Sequence, residues 1–265
     1  MYNHLQLTKK YLTYYFNASN GKGHGMHSPF VFDFITKILL DKKEYTCYST
    51  IESIRKKLLN DEQVIHVDDF GAGSTIMKAN KRKVSDIARS SLKPKKYAQL
   101  LFRIVNYYKP FGIVELGTSL GITTAYLASG NEEAKIYTCE GAANISAIAQ
   151  NNFHQLDLKN IEMLQGNFDA TLHGLLSKPN KIDFAFVDGN HRKKPTLDYF
   201  YQLLNHSRSN TVLIFDDIHW SKEMEEAWQE IQLHPSVTLS IDLFFIGIIF
   251  LNTDFKAKQH FAIRY

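Results

Sequence analysis

Cysteine is almost absent from this chain. Its 265 residues hold two, Cys47 and Cys139, far apart and without metal-ligand spacing. That excludes a disulfide scaffold and a cysteine-held zinc site, and it suits a reducing cytoplasm. Long apolar runs are missing as well. The longest, residues 243–251, falls short of the roughly 20 residues a membrane helix needs, and its β-branched and aromatic content marks a strand. The opening MYNHLQLTKKYLTYYF shows no apolar core followed by a small-residue cleavage site, so no secretory signal is expected there. Nor is there a strong charge of either sign. The formal net charge of +4 and pI of about 8.8 are mildly basic and do not demand a nucleic-acid partner. Repeats and low-complexity tracts are lacking too. What is present, at 44% hydrophobic residues, suffices to bury the core of one large domain with an N-terminal extension.

Residues 113–127, IVELGTSLGITTAYL, carry the first chemical signal. Ile113, Val114 and Leu116 form the apolar run expected of a parallel strand covered on both faces. Gly117 and Gly121 supply a tight turn that lets backbone approach a ligand and leaves helix-start N–H groups free. Glu115, near the strand end, offers a carboxylate to an amino or hydroxyl group. Taken alone, the stretch also fits an ordinary strand–turn–helix junction.

Ahead of it, residues 1–60 read as three helices at 5–16, from Ser28-Pro29 onward, and 51–59, with a flexible break NASNGKGHG at 17–25. In the second, Phe30, Val31, Phe34, Ile35, Ile38 and Leu39 share one face. Such helices either pack over the ligand cleft of a following sheet or extend the packing. His24 and His27, beside the break, either face a substrate or cap and pack. Residues 64–74, VIHVDDFGAGS, imitate a second nucleotide turn. A basic stretch with no strand follows it, whereas a dinucleotide unit needs strand, turn, helix and returning strand. A loop is therefore expected, with Asp68 and Asp69 unassigned. Lys78, Lys81, Arg82 and Lys83 read as a solvated face, with an RNA contact as the alternative. From Lys95 the pattern turns regular. A helix at 97–108 with Ala98, Leu101, Phe102 and Val105 inward is followed by strands at 112–116, 135–139, 161–164, 182–187 and 211–215. Helices at 123–129, 145–156, 170–176, 195–206 and 222–232 lie between and after them, which specifies a parallel sheet with helices on both faces. Residues 237–242 and 244–251 leave no room for a helix and should pair antiparallel, and 260–265 can add an edge segment.

The spacing E-x-G-x-x-x-G from Glu115 to Gly121, with Ser119 where many nucleotide folds keep a glycine, resembles motif I of class I S-adenosylmethionine-dependent methyltransferases. Among these the chain is most similar to the metal-dependent O-methyltransferases that act on catechols, caffeoyl thioesters and some sugars. The resemblance covers roughly residues 95–250. It implies a Rossmann-like α/β fold: a seven-stranded, mostly parallel sheet with a reversed last strand, helices on both faces and an N-terminal helical extension. Residues 1–94 would be that extension or cap, and 95–265 the S-adenosylmethionine-binding domain. S-adenosyl-L-methionine would lie against Glu115, Gly117, Thr118, Ser119 and Gly121, with Asp188 nearby. Glu140 and Gly141 end the second strand, where an acid some two dozen residues past the glycine turn suits ribose hydroxyls; the bland reading is a charge at a helix start. The family places residues around the adenine after the third strand, here Gly166, Asn167, Phe168 and Asp169. Asn167 or Asp169 would take the exocyclic amine and Phe168 would pack on the ring, although Asp169 would equally cap the next helix.

A stronger signal comes from two strand ends, Phe186-Val187-Asp188-Gly189-Asn190-His191 and Ile214-Phe215-Asp216-Asp217-Ile218-His219-Trp220. Adjacent strands lie about 5 Å apart, so neighbouring ends would bring Asp188, Asp216 and Asp217 together. Like charges that close raise one another's pKa unless a cation sits between them, and hard oxygen ligands suit Mg²⁺, with Mn²⁺ or Ca²⁺ as alternatives. Any of the acids could instead cap a helix or hold a loop. The metal-dependent enzymes carry Asp on strand four and Asp-Asn after strand five. Asp188 and Asp216 match, and Asp217 stands in place of Asn, closer to the sugar-methylating relatives. His191 falls where catechol enzymes carry a lysine thought to act as base, and histidine can take a proton there. The catalytic residues implied are His191 and Asp188, with His219 a second candidate base and Trp220 an aromatic wall for a flat substrate. The activity expected is O-methylation of a small-molecule hydroxyl in the cytoplasm, with no membrane or nucleic-acid partner and with a homodimer compatible. An RNA- or protein-modifying methyltransferase, or a cofactor-binding module without turnover, are the alternatives.

Overall fold

The computed structural model describes residues 1–67, 81–178, 181–252, 255 and 257–265; Asp68, Asp69 and Lys78 lie outside the described residues. Helix α1 (His4–Asn17) starts at a capping box, in which Asn3 Oδ1 accepts from Gln6 N (2.9 Å) and Gln6 Oε1 from Asn3 N (3.0 Å). Helix α2 (Pro29–Phe34) has Pro at its first position, where the missing N–H is no loss. It continues as a wider π turn, Ile35–Leu39, closed by Leu40 N donating to Ile35 O. Next come α3 (Thr46–Leu59), β1 (Val64–His66), β2 (Lys81–Lys83), α4 (Val84–Ser91) and α5 (Lys95–Tyr108). Strand β3 (Gly112–Leu116) then leads to α6 (Ile122–Gly130), β4 (Lys135–Glu140), α7 (Ala143–Gln155), β5 (Ile161–Gln165) and α8 (Phe168–Leu176). The rest is β6 (Ile182–Val187), α9 (Lys193–His206), β7 (Ser207–Asp216), α10 (Lys222–Leu233), β8 (Leu239–Asp242), β9 (Ile246–Phe250) and β10 (Gln259–Ala262).

The chain divides into two compact units, Lys42–Pro179 and Met1–Asp41 with Asn180–Tyr265. In the first, β3, β4 and β5 are parallel neighbours in that order. Every residue of β3 is buried, as its apolar run requires. Helix α3 belongs to this core: Tyr48, Ile51, Ile54 and Leu58 pack in one cluster with Phe102 of α5 and with Ala125 and Tyr126 of α6. The predicted inward face of α5, Ala98, Leu101, Phe102 and Val105, is buried. The expectation that no strand follows residue 75 does not hold, because Lys81–Lys83 pairs antiparallel with Val64–His66. Ile65 alone turns inward on β1, and β2 keeps its first and last lysines in water, so its charge hid a strand.

In the second unit the order is β6, β7, β9, β8, β10. β6 and β7 are parallel, β9 runs against both β7 and β8, and β10 lies parallel to β8. The predicted seven strands are therefore eight, counted from β3 among the described residues, and the reversed strand is the seventh, not the last. The extra one is β10, held by Gln259 N donating to Thr238 O and flanked by the segment after α1, where Ser19 bridges to Ile263. Among the described residues no helix is long and apolar enough to cross a membrane.

Candidate active site

In the unit Lys42–Pro179 the turn after β3 is fixed by its own N–H groups. Gly117 N and Thr118 N both donate to Cys139 O (3.1 Å each), Ser119 N to Glu140 Oε2 (2.8 Å) and Gly121 N to Thr118 O (2.9 Å). These turn N–H groups are thus engaged within the protein, ahead of the helix start at Ile122. Gly117, Ser119 and Gly121 have positive φ of 106°, 48° and 82°. At Gly121 a Cβ would lie 2.6 Å from the Phe153 ring, so only glycine fits both the backbone and the space. Asn152 of α7 secures the turn by donating to Leu120 O (2.9 Å).

Glu140 uses both carboxylate oxygens to hold this region, Oε2 on Ser119 N and Oε1 on Ala142 N (3.0 Å), across the bend at Gly141. Glu115 sits deeper than its place near a strand end suggested. It is fully buried, and its Oε2 accepts from Thr124 Oγ1 (2.5 Å) and Thr138 Oγ1 (2.6 Å), with Thr118 bonded to Thr138 (2.6 Å). Thr118 was expected to lie against the donor, whereas Thr124 and Thr138 gave no signal in the sequence. Asn167 caps α8, its side chain accepting from Asp169 N (3.0 Å), while Phe168 is half-buried beside it.

In the other unit β6 and β7 are neighbours, Val187 opposite Phe215, so the two acid-bearing ends meet as the sequence supposed. Asp188, His191 and Asp216 each place one ligand atom within 4.8 Å of the others, with Asp216 buried. His191 Nε2 lies 3.6 Å from Asp188 Oδ1 and 3.9 Å from Asp217 Oδ2. The group is thus two carboxylates and an imidazole, where three carboxylates were expected, with Asp217 beside it against His191. The nearby cations are committed to other groups: Arg192 donates to Asn190 Oδ1 (2.9 and 3.1 Å), Lys193 pairs with Glu226 and Glu230, and Lys194 with Asp198. Asp217 has φ 53°, a left-handed conformation costing about 1 kcal/mol or more outside glycine, and its N–H donates to Phe245 O (2.7 Å). Ile218, buried to 1%, pins the same loop into the core.

His219 is not in that group. Its Nδ1 lies 3.1 Å from Glu225 Oε1, its Nε2 2.8 Å from Asp242 Oδ2, and its ring stacks on Phe244. Burial alone would lower its pKa, but the bonds to Asp242 and Glu225 outweigh burial and raise it. Tyr2 and Lys10, which complete the cluster by donating to Glu225, come from the other end of the chain and were invisible to motif reading. Trp220 is 37% exposed beside this loop, and His24 and His27 are exposed.

Residues 114–218 match a sequence family described as a methyltransferase domain. No curated protein matches the chain. Among solved structures it is similar to an O-methyltransferase from Bacillus cereus in complex with SAH (18% identity, TM-score 0.56, covering 83% of this chain and 97% of that one). It is also similar to TomG, an O-methyltransferase from Streptomyces achromogenes involved in tomaymycin synthesis and solved with SAM (15%, TM-score 0.57, 84% and 95%). A third is the SAH-bound methyltransferase PaMTH1 of Podospora anserina (11%, TM-score 0.56, 94% and 96%). The chain thus has a Rossmann-like α/β fold similar to that of these O-methyltransferases, and residues 114–218 within it resemble a methyltransferase domain.

Proposed function

We propose that this protein methylates a hydroxyl oxygen of a small molecule, with S-adenosylmethionine as methyl donor and a divalent cation as aid. The observation that carries the reading is the convergence of Asp188, His191 and Asp216 at neighbouring strand ends. The carboxylates fit Mg²⁺ or Mn²⁺, which favour oxygen ligands, and the imidazole stands beside them as a base. Asp188, Asp216 and Asp217 would hold the ion. When bound, S-adenosylmethionine supplies a sulfonium methyl open to attack by oxygen, and the cation lowers the pKa of the hydroxyl.

The chain's own residues do the rest. The turn Gly117–Gly121 and Phe168 hold the donor, and Glu140 accepts from its ribose hydroxyls. Glu115, whose Oε2 is held by Thr124 and Thr138, braces the turn after β3. His191 Nε2 takes the proton of the acceptor hydroxyl, and Asp188 and Asp217, both within 4 Å of it, stabilise the imidazolium that forms. Trp220 offers an aromatic surface to the substrate.

The test is anomalous scattering from Mn²⁺-soaked crystals, paired with methyl transfer before and after chelation. The reading expects a cation at Asp188, Asp216 and Asp217 and activity lost to chelator. A cation elsewhere, or undiminished turnover, would make the acids structural and favour a metal-independent RNA- or protein-directed enzyme.

A further inference from the structure

The loop from Asp216 to Ser221 carries two of the three acids, and its backbone is held in place from outside. Asp217 is left-handed, its N–H caught by Phe245 O (2.7 Å), and Phe244, next to that acceptor, is itself left-handed at φ 68°. Two residues past Asp217, His219 is clamped between Glu225 Oε1 (3.1 Å) and Asp242 Oδ2 (2.8 Å). Each ring nitrogen bonds one carboxylate, so the ring ties the loop to α10 and to the end of β8.

Tyr2 and helix α1 hold the same assembly by two routes. Lys10 Nζ donates to both oxygens of Glu225 (2.9 Å each) and Tyr2 OH to Glu225 Oε2 (2.7 Å). Tyr2 N also reaches Trp220 O in the loop (3.1 Å). By the second route the Tyr11 ring meets Phe244 edge-on at 5.0 Å, the same aromatic that stacks on His219. No residue of α1 is buried, so core packing is not what the helix contributes.

We infer that His219 is a positioning residue for the metal-holding acids, and that α1, through Lys10 and Glu225, is its outer anchor. The inference rests on the metal reading above. It explains why the N-terminal segment, which brings no acid, glycine turn or base to the site, is nonetheless bonded to Glu225 through Lys10 and to the loop through Tyr2.

The experiment measures Mn²⁺ affinity by electron paramagnetic resonance on the full-length chain, together with S-adenosylhomocysteine affinity and melting temperature. It compares wild type with His219→Gln, Lys10→Met and Lys10→Arg. Removing a support behind a metal ligand weakens binding about 10- to 100-fold, so His219→Gln should raise the Mn²⁺ Kd by about tenfold or more. Lys10→Met should move it in the same direction by a smaller factor, and Lys10→Arg should restore wild-type affinity. S-adenosylhomocysteine affinity should stay unchanged throughout, which a general loss of structure would not allow. Because Lys10 is partly exposed, Lys10→Met keeps the test valid even where His219→Gln fails to fold. Wild type binding Mn²⁺ with all variants equal to it overturns the positioning role and leaves the metal reading standing. Wild type binding no Mn²⁺ overturns both.

Discussion

Gly121 has no substitute. An Ala there must adopt φ 82° and place its Cβ 2.6 Å from the Phe153 ring. Gly121→Ala should therefore lose about 1–3 kcal/mol of stability, measured by denaturant unfolding, and should weaken S-adenosylhomocysteine binding as well. His191→Ala should separate chemistry from binding. If Nε2 is the proton acceptor, the rate falls by about 10²–10⁴ while Mn²⁺ still binds; loss of Mn²⁺ affinity would make His191 a ligand instead. The glycine turn, Glu140, Asp188, Asp216 and His191 were legible because each sits in a short local pattern at the end of a strand. His219 was read as a spare base because its partners Lys10, Glu225 and Asp242 come from three separate parts of the chain, and no local pattern encodes their meeting. Glu115 looked exposed to ligand for a similar reason. The threonines that enclose it stand on α6 and β4, beyond its own motif.

At the scale of elements, the alternating strands and helices from α5 to β9 were legible to within a few residues, since apolar runs bounded by helix periodicity are the strongest signal a sequence offers. One strand escaped: β2 is three basic residues, which read as solvated; β10 was expected only as an edge segment at 260–265, because its pairing with β8 is non-local. The N-terminal helices differ among themselves in a way that periodicity did not show. α1 buries nothing, whereas α3 supplies Tyr48, Ile51, Ile54 and Leu58 to the core around the glycine-turn helix α6, and Tyr126 of α6 donates to Glu52 of α3 (2.9 Å). Deleting residues 1–60 strips those four side chains, each contributing about 1.5–3 kcal/mol by burial. The truncated chain should be insoluble or fail to bind S-adenosylhomocysteine. A soluble, binding product from expression of residues 61–265 would show that α3 is dispensable.

For the whole molecule, stability should carry the imprint of the Glu225 cluster. Burial alone would raise the pKa of Glu225, but hydrogen bonds from Lys10, Tyr2 and His219 outweigh it and lower the value below the usual 4.5. A carboxyl whose folded pKa is depressed contributes stability above its unfolded pKa and loses it as pH falls through the folded one. Unfolding free energy should thus drop below pH 4.5, and Glu225→Gln should flatten that drop, as chemical denaturation at stepped pH will read. Both thiols are pushed up to about 11 by burial, so native protein should react with iodoacetamide at pH 8 far more slowly than unfolded protein.

The claim on which the functional reading depends is that the turn at Gly117–Gly121, buttressed by Glu140, is a methyl-donor site. Calorimetric titration of S-adenosylhomocysteine into wild type and Glu140→Ala measures it most directly. Glu140 holds Ser119 N and Ala142 N and would accept from the ribose, so its loss should cost about 1.5–3 kcal/mol, a roughly tenfold or greater rise in Kd. Wild type should bind one equivalent, and the variant correspondingly less tightly. No binding by wild type, or equal affinity in the two proteins, would contradict the assignment.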